Sequence, residues 1–209
     1  MKALKLLALT SCFLFSAGNV AAQQDYSKSE GLLQYVDPYI GSGYHGHVFV
    51  GTSVPYGMVQ LGPSNIHKGW DWCSGYHYSD SILIGFSHTH LSGTGCTDLG
   101  DILIMPLNEI RTPRGNQDDI HDGYASRYSH DNEIARPEYY SLLLDRYQIK
   151  AELTATDRVG FHRYTYPEGK PASILIDLRE GNGSNAYDSY IRKIDDYTVC
   201  LLYTSDAAD

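Results

Sequence analysis

Alternating polar and apolar positions are clearest between residues 147 and 156. There Tyr147, Ile149, Ala151, Leu153 and Ala155 interleave with Gln148, Lys150, Glu152, Thr154 and Thr156. Side chains two apart share one face of a strand, so this period of two predicts a half-buried antiparallel strand. A Thr156-Asp157-Arg158 turn leads into a second strand over Val159–Tyr166, and Pro167-Glu168-Gly169-Lys170-Pro171 turns the chain into a third over Ala172–Leu178. Three strands joined by short turns predict a meander. Upstream, the apolar bursts Ile82-Leu83-Ile84 and Ile102-Leu103-Ile104-Met105 are bounded by Gly, Ser or Pro and are too short for helices, which predicts buried strands. Tyr197–Leu202 is a further burst, Gly31–Asp101 reads as loops joining short strands, and Arg111–Arg136 as a polar, exposed excursion. No heptad, repeat or low-complexity tract occurs. The prediction is an all-β, two-layer antiparallel sandwich.

Composition narrows the function classes. Of 209 residues, 42% are hydrophobic and 20% charged, which supports a packed core, while 25 acidic against 16 basic residues oppose a surface built for nucleic acid or anionic lipid. Lys2 and Lys5 precede an apolar stretch from Leu6 to Gly18, and Val20-Ala21-Ala22 offers small residues for cleavage. Residues 1–22 therefore read as a secretory signal peptide. The apolar stretch is shorter than the ~20 residues of a membrane span. Leu9-Thr10-Ser11-Cys12 also resembles a bacterial lipoprotein box, although little apolar sequence precedes Cys12 and much follows it. The expected location is secreted or periplasmic, with a surface lipoprotein as the variant reading. Cys73, Cys96 and Cys200 remain after the signal. Cys73 and Cys96 are either a disulfide pair or buried thiols.

Two H-x-H pairs, His45-Gly46-His47 and His88-Thr89-His90, could present imidazoles to a metal if they lie on strands, or could bond loop backbone. Gly41-Ser42-Gly43 and Gly93-Thr94-Gly95 lack the lysine and spacing of a phosphate loop. The aromatic residues say more. Eighteen Tyr accompany five Phe, and Trp70 and Trp72 sit in the Gly-flanked run Gly69-Trp70-Asp71-Trp72-Cys73-Ser74-Gly75-Tyr76-His77-Tyr78-Ser79-Asp80. Flat apolar faces beside hydrogen-bonding groups suit sugar rings. Tyr147, Tyr164 and Tyr166 lie on regular strands and are expected in the core; for Trp70 a core position is the alternative reading.

Several blocks closely resemble the start of glycoside hydrolase family 92. They are Val36–Gly41, Gly46–Gly51, Val54–Leu61, Gly69–Asp80, Gly85–Gly95 and Asp98–Pro106, in the family's order. The resemblance implies a fold of the galactose-mutarotase-like supersandwich type and an exported exo-α-mannosidase that acts on terminal α-mannosides, for example α-1,2-linked, as in N-glycan or yeast mannan chains. It further implies calcium dependence and inversion at the anomeric carbon. In that family a much larger α-helical (α/α) toroid follows the sandwich and carries the catalytic acid, the base and the calcium ligands. No catalytic or metal-binding residue is therefore carried onto this chain, Asp98 and Asp101 included. The substrate-binding expectation falls on Trp70, Asp71, His88 and His90, with both loops lining the terminal-mannose subsite. The expected organisation is a signal peptide (1–22), an incomplete N-terminal sandwich (23–199) and a non-native tail (200–209) resembling a translated adapter. A non-catalytic carbohydrate-binding module is the alternative, and a zinc hydrolase the third reading.

Overall fold

A computed structural model of the chain describes residues 31–116, 120–179 and 186–204. The signal-peptide expectation lies outside the described residues. A short 3-10 turn, Gly31–Tyr35, begins the described chain. Among the described residues, helical structure is limited to such turns, and no helix is long and apolar enough to cross a membrane.

Eleven strands follow among the described residues: β1 Gly62–Asn65, β2 Ile82–Ser87, β3 Leu103–Leu107, β4 Ser126–Arg127, β5 Glu133–Arg136, β6 Tyr139–Leu144, β7 Ile149–Ala155, β8 Gly160–Thr165, β9 Ser173–Asp177, β10 Asp188–Lys193 and β11 Val199–Thr204. They form a five-stranded sheet in the order β1-β2-β3-β9 with β4 also on β2, a four-stranded sheet β5-β6-β7-β8, and a β10-β11 hairpin. Every pairing is antiparallel. The two larger sheets share one apolar core. Phe86 of β2 meets Tyr140 of β6 edge-on at 6.4 Å between centroids and Tyr164 of β8 at 6.3 Å. The predicted two-layer sandwich is thus the observed fold.

The bursts Ile82–Ile84 and Ile102–Met105 took the strand roles that their patterns implied, whereas Tyr197–Leu202 is largely exposed. All six residues of β2 are buried, as a continuous hydrophobic run at the centre of a sheet should be. In β7, Ile149, Ala151 and Leu153 face the core while Lys150 and Thr154 are exposed. Glu152 breaks the alternation because the Arg163 guanidinium forks onto its two oxygens at 2.7 and 2.8 Å and the Tyr139 hydroxyl adds a third donor at 2.8 Å. Those donors hold its carboxyl down at about 2 against the cost of desolvation. Tyr147 is a core residue, as expected, donating its hydroxyl to the Tyr124 carbonyl at 2.8 Å, and Tyr164 and Tyr166 pack partly buried against the core.

Two expectations are corrected. The third strand of the predicted meander, β9, leaves β8 and crosses to the other sheet, where Leu103–Leu107 pair with Asp177–Ser173. Two prolines bracket the connection, and β3 meets β2 in register only at Phe86 and Ile104, which leaves its other edge to be covered. The true meander is β5 to β8. From Ile120 onward, Arg111–Arg136 is likewise no exposed excursion. Ile120, Tyr124, Ala125 and Tyr128 are buried and Ser126–Arg127 pair with β2. Far-ultraviolet circular dichroism of the chain should accordingly be β-dominated; a helix-dominated spectrum would contradict this architecture.

Candidate functional site

Trp70, Asp71 and Trp72 form a single 3-10 turn that Gly69 enters at φ 128°. Trp70 is 57% exposed, which sets aside the core reading. It is nonetheless fixed, because its indole N–H donates to the Gly95 carbonyl at 3.0 Å. A Cβ on Gly95 would come within 2.8 Å of that indole nitrogen, so the absence of a side chain there allows the approach. Behind it, Cys73 is a buried free thiol that donates to the Thr94 carbonyl at 3.1 Å, while Cys96 is exposed; no disulfide joins them. Trp72 turns the other way. It stacks on His77 at 4.4 Å and donates to buried Asp80 at 2.8 Å, which also binds Lys68 at 2.7 Å and the Ser81 and Ile82 amides. The turn is therefore rigid on one side and presents a ring on the other.

Asp71 lies beside that ring between two imidazoles. His45 Nδ1 is 2.5 Å from Asp71 Oδ1 and His47 Nε2 is 3.6 Å from the same oxygen. The hydrogen bond from His45 holds the Asp71 carboxyl below the usual carboxylate range. His47 packs edge-on against Trp70 at 4.1 Å between centroids and is buried, and His45 is tilted toward the same indole at 5.5 Å. These two histidines are the neighbours of Trp70 and Asp71 that sequence reasoning did not assign to them. The His45-Gly46-His47 spacing signalled them but pointed to a metal, on the premise of an extended strand. Tyr44 and His47 instead take left-handed φ values of 52° and 55°, so the same-face rule does not apply.

His88 and His90, expected to line the same subsite, face inward. His88 Nδ1 donates to the Ile102 carbonyl at 2.9 Å and its Nε2 meets His162 Nε2 at 3.0 Å. His162 in turn contacts the Tyr164 hydroxyl at 2.7 Å through Nδ1. His90 is 4% exposed; it donates from Nδ1 to the Gln60 carbonyl at 2.8 Å and stacks on Phe49 at 5.5 Å. Gly75 at φ 82° would place a Cβ 2.8 Å from the His90 ring. Burial pushes His90 and His162 down to about 4 and lowers His88 as well. In this arrangement the His88-Thr89-His90 pair anchors loops rather than converging on a point. Asp98 and Asp101 are also turned to their own loop, Asp98 accepting from the Leu99 amide at 2.9 Å and Asp101 from the Thr89 hydroxyl at 3.0 Å. Among the described residues no group of three or more His, Cys, Asp or Glu side chains could hold a metal ion, so these residues do not fit a calcium site.

The model of the glycosyl hydrolase family 92 N-terminal domain matches residues 35–206. An α-mannosidase of that family from Bacteroides thetaiotaomicron superposes with a TM-score of 0.81 at 41% identity, over 84% of this chain and 24% of its own. The same enzyme in complex with mannoimidazole gives 0.78 at 41% identity, over 82% and 23%. An uncharacterized secreted glycosidase of Arthroderma benhamiae is 31% identical over 160 residues, 71% of this chain and 20% of that protein. These matches define the class first, a domain found in glycoside hydrolases. More particularly, the chain belongs to glycosyl hydrolase family 92 as an N-terminal domain. It spans about a fifth to a quarter of the length of these relatives.

Proposed function

We propose that this chain is the sugar-contacting N-terminal domain of an exported exo-α-mannosidase, and that Trp70 and Asp71 line its terminal-mannose subsite. The observation that carries the proposal is a tryptophan more than half exposed yet pinned through its indole N–H, with an ionised carboxylate alongside. The ring offers an apolar face for sugar C–H groups and Asp71 accepts hydroxyl hydrogen bonds, while His45 fixes its orientation. His88 and His90 serve the subsite indirectly, by holding the loop that carries Gly95. An α-mannoside glycan, α-1,2-linked for example, is the substrate class, and secretion agrees with the description of the Arthroderma relative.

The reaction proposed for the full-length enzyme is inverting. A carboxylic acid protonates the leaving oxygen as the glycosidic bond breaks, and a second carboxylate, ~6.5–9.5 Å away, takes a proton from the water that attacks the opposite ring face. Both carboxylates are assigned to the α-helical toroid. Calcium, bound by oxygen ligands of that toroid, would supply a hard cation for sugar hydroxyls.

The test uses the full-length protein and an aryl α-mannoside. Hydrolysis abolished by a calcium chelator is expected, and Trp70→Ala should lower kcat/KM about tenfold or more with its fold intact, equivalent to ~1.4 kcal/mol of transition-state contact. Unchanged kinetics in a folded Trp70→Ala protein would remove Trp70 from the subsite. Mannan binding without turnover by the wild-type protein would instead identify a non-catalytic binding module.

A further inference from the structure

We infer that His130 is a proton-dependent positioning residue: with hydrogen on both ring nitrogens it ties Glu133 to the Tyr78 carbonyl, and when one hydrogen is lost it lets go of that carbonyl and loosens the chain at Tyr78. The inference goes beyond the proposed function and does not depend on it.

His130 opens a 3-10 turn, His130–Asn132, whose N-cap is Ser129. Its Nδ1 lies 2.5 Å from Glu133 Oε2 and its Nε2 2.6 Å from the Tyr78 backbone oxygen. A carbonyl oxygen can only accept, so Nε2 carries hydrogen. The Glu133 side chain is fully buried, and it already receives the Tyr76 hydroxyl on Oε2 at 3.1 Å and the Tyr140 hydroxyl on Oε1 at 2.6 Å. A carboxyl group facing two phenols and an imidazole is satisfied as the anion, because all three can donate. Nδ1 therefore donates as well, and the ring is the imidazolium of a charge-assisted pair. Its faces agree: the ring stacks on Tyr78 at 4.3 Å and 11°, and Tyr128 meets it edge-on at 5.5 Å.

The other titratable groups facing this pair come from four directions. Tyr39 lies in the segment before β1, Tyr76 between the Trp70–Trp72 turn and β2, Tyr128 precedes the 3-10 turn and Tyr140 is on β6. Burial and the Glu133 charge push all four phenols up, so they remain neutral donors. Asp37 acts on Tyr39 and Asp80 on Tyr128 at longer range. Among the described residues the cation paired with Glu133 is His130.

Losing one hydrogen leaves a lone pair against either the carboxylate or the Tyr78 carbonyl, and two acceptors repel. The buried carboxylate has the stronger hold on the remaining hydrogen, so the Tyr78 contact is the one that fails. Tyr78 is a hub for what lies beyond it. Its amide donates to the Ser42 carbonyl at 2.9 Å, its ring meets Tyr39 at 5.4 Å, and the neighbouring His77 reaches the Tyr44 carbonyl at 3.1 Å. These contacts position residues 42–47, which bring His45 and His47 to Asp71.

The experiment is a pH series on the full chain, following the His130 ring nitrogens by NMR and the exchange protection of the Tyr78 amide. The expected result is that Tyr78 protection, corrected for intrinsic exchange, falls about tenfold or more in step with the loss of a His130 ring hydrogen. In Glu133→Gln the amide can donate to Nδ1 of a neutral ring whose Nε2–H still reaches Tyr78, so protection should no longer follow His130. His130→Gln, which lacks the ring, should show no step across the same range. Tyr78 protection that ignores His130 titration in the wild-type chain would overturn the inference, as would a step that persists in Glu133→Gln.

Discussion

Acidification from pH ~6.5 to 4 should remove a large part of this domain's stability through its buried histidines. His90 and His162 are held at about 4 in the folded chain, mainly because burial disfavours the imidazolium, against about 6.5 for a histidine in the unfolded chain. With the folded value depressed, the unfolded state binds the extra protons. The stability these residues provide is thus complete above pH ~6.5 and falls as pH drops toward 4. Each depression corresponds to about 3 kcal/mol at the acid end. The His88–His162 contact couples one of the two to a third imidazole, so about 5 kcal/mol in total is a reasonable scale. A domain of this size has ~5–15 kcal/mol to lose. Urea unfolding at a series of pH values should show stability dropping steadily between ~6.5 and 4, with a slope near two protons. His90→Asn, whose amide can still donate to the Gln60 carbonyl, should reduce that slope by about one proton. A flat profile over this range would mean that the imidazoles are not buried as neutral groups.

The same histidines show where a linear reading stops. Their pairing as His88-Thr89-His90 is visible in the sequence, but their partners are residues 30 positions upstream and 74 downstream, which no local period encodes. Strands β2, β3 and β7 were legible because their apolar positions match their burial, and β8 from its turns alone, since Phe161 faces out and His162 in. Strand β5 was not, and for a physical reason: in Glu133-Ile134-Ala135-Arg136 the glutamate is buried and Ile134 is 43% exposed, the reverse of their polarity. Three donors make that inversion stable, Tyr140 on the paired strand, His130 in the preceding turn and Tyr76 from 57 positions upstream. At the site, Trp70 and Asp71 were legible as an aromatic loop with glycines around it. Their attachment to Gly95, His45 and His47 was not, because left-handed residues at positions 44 and 47 place these groups by tertiary contact rather than by spacing.

Arg146 is the single side chain whose loss should matter most to the segment misread as an exposed excursion. Residues 120–125 carry too few apolar groups in too irregular an order to form a strand, yet Ile120, Tyr124 and Ala125 are buried. Their backbone carbonyls need donors, since an unpaired buried carbonyl is costly. The Arg146 guanidinium supplies them. Nη1 donates to Ile120 and Gly123 at 2.7 Å and to Ala125 at 3.2 Å, and Nη2 donates to His121 at 2.7 Å. Glu109 approaches Nε at 3.5 Å, and the guanidinium carbon lies 5.8 Å from the Tyr147 ring centroid. One planar fork thus replaces a strand partner for four carbonyls. Replacement by Met keeps the stem and removes the fork; His121 keeps its bond from Arg111 and Ile120 its bond from the Gly123 amide, while Gly123 and Ala125 lose the guanidinium, so Arg146→Met should cost about 3 kcal/mol. Arg146→Lys has a single ammonium that cannot reach all four oxygens and should recover less than half of that loss. Denaturant unfolding of both variants checks the ordering. Equal stability of Arg146→Lys and wild type would show that charge, rather than the geometry of the fork, holds the segment in place.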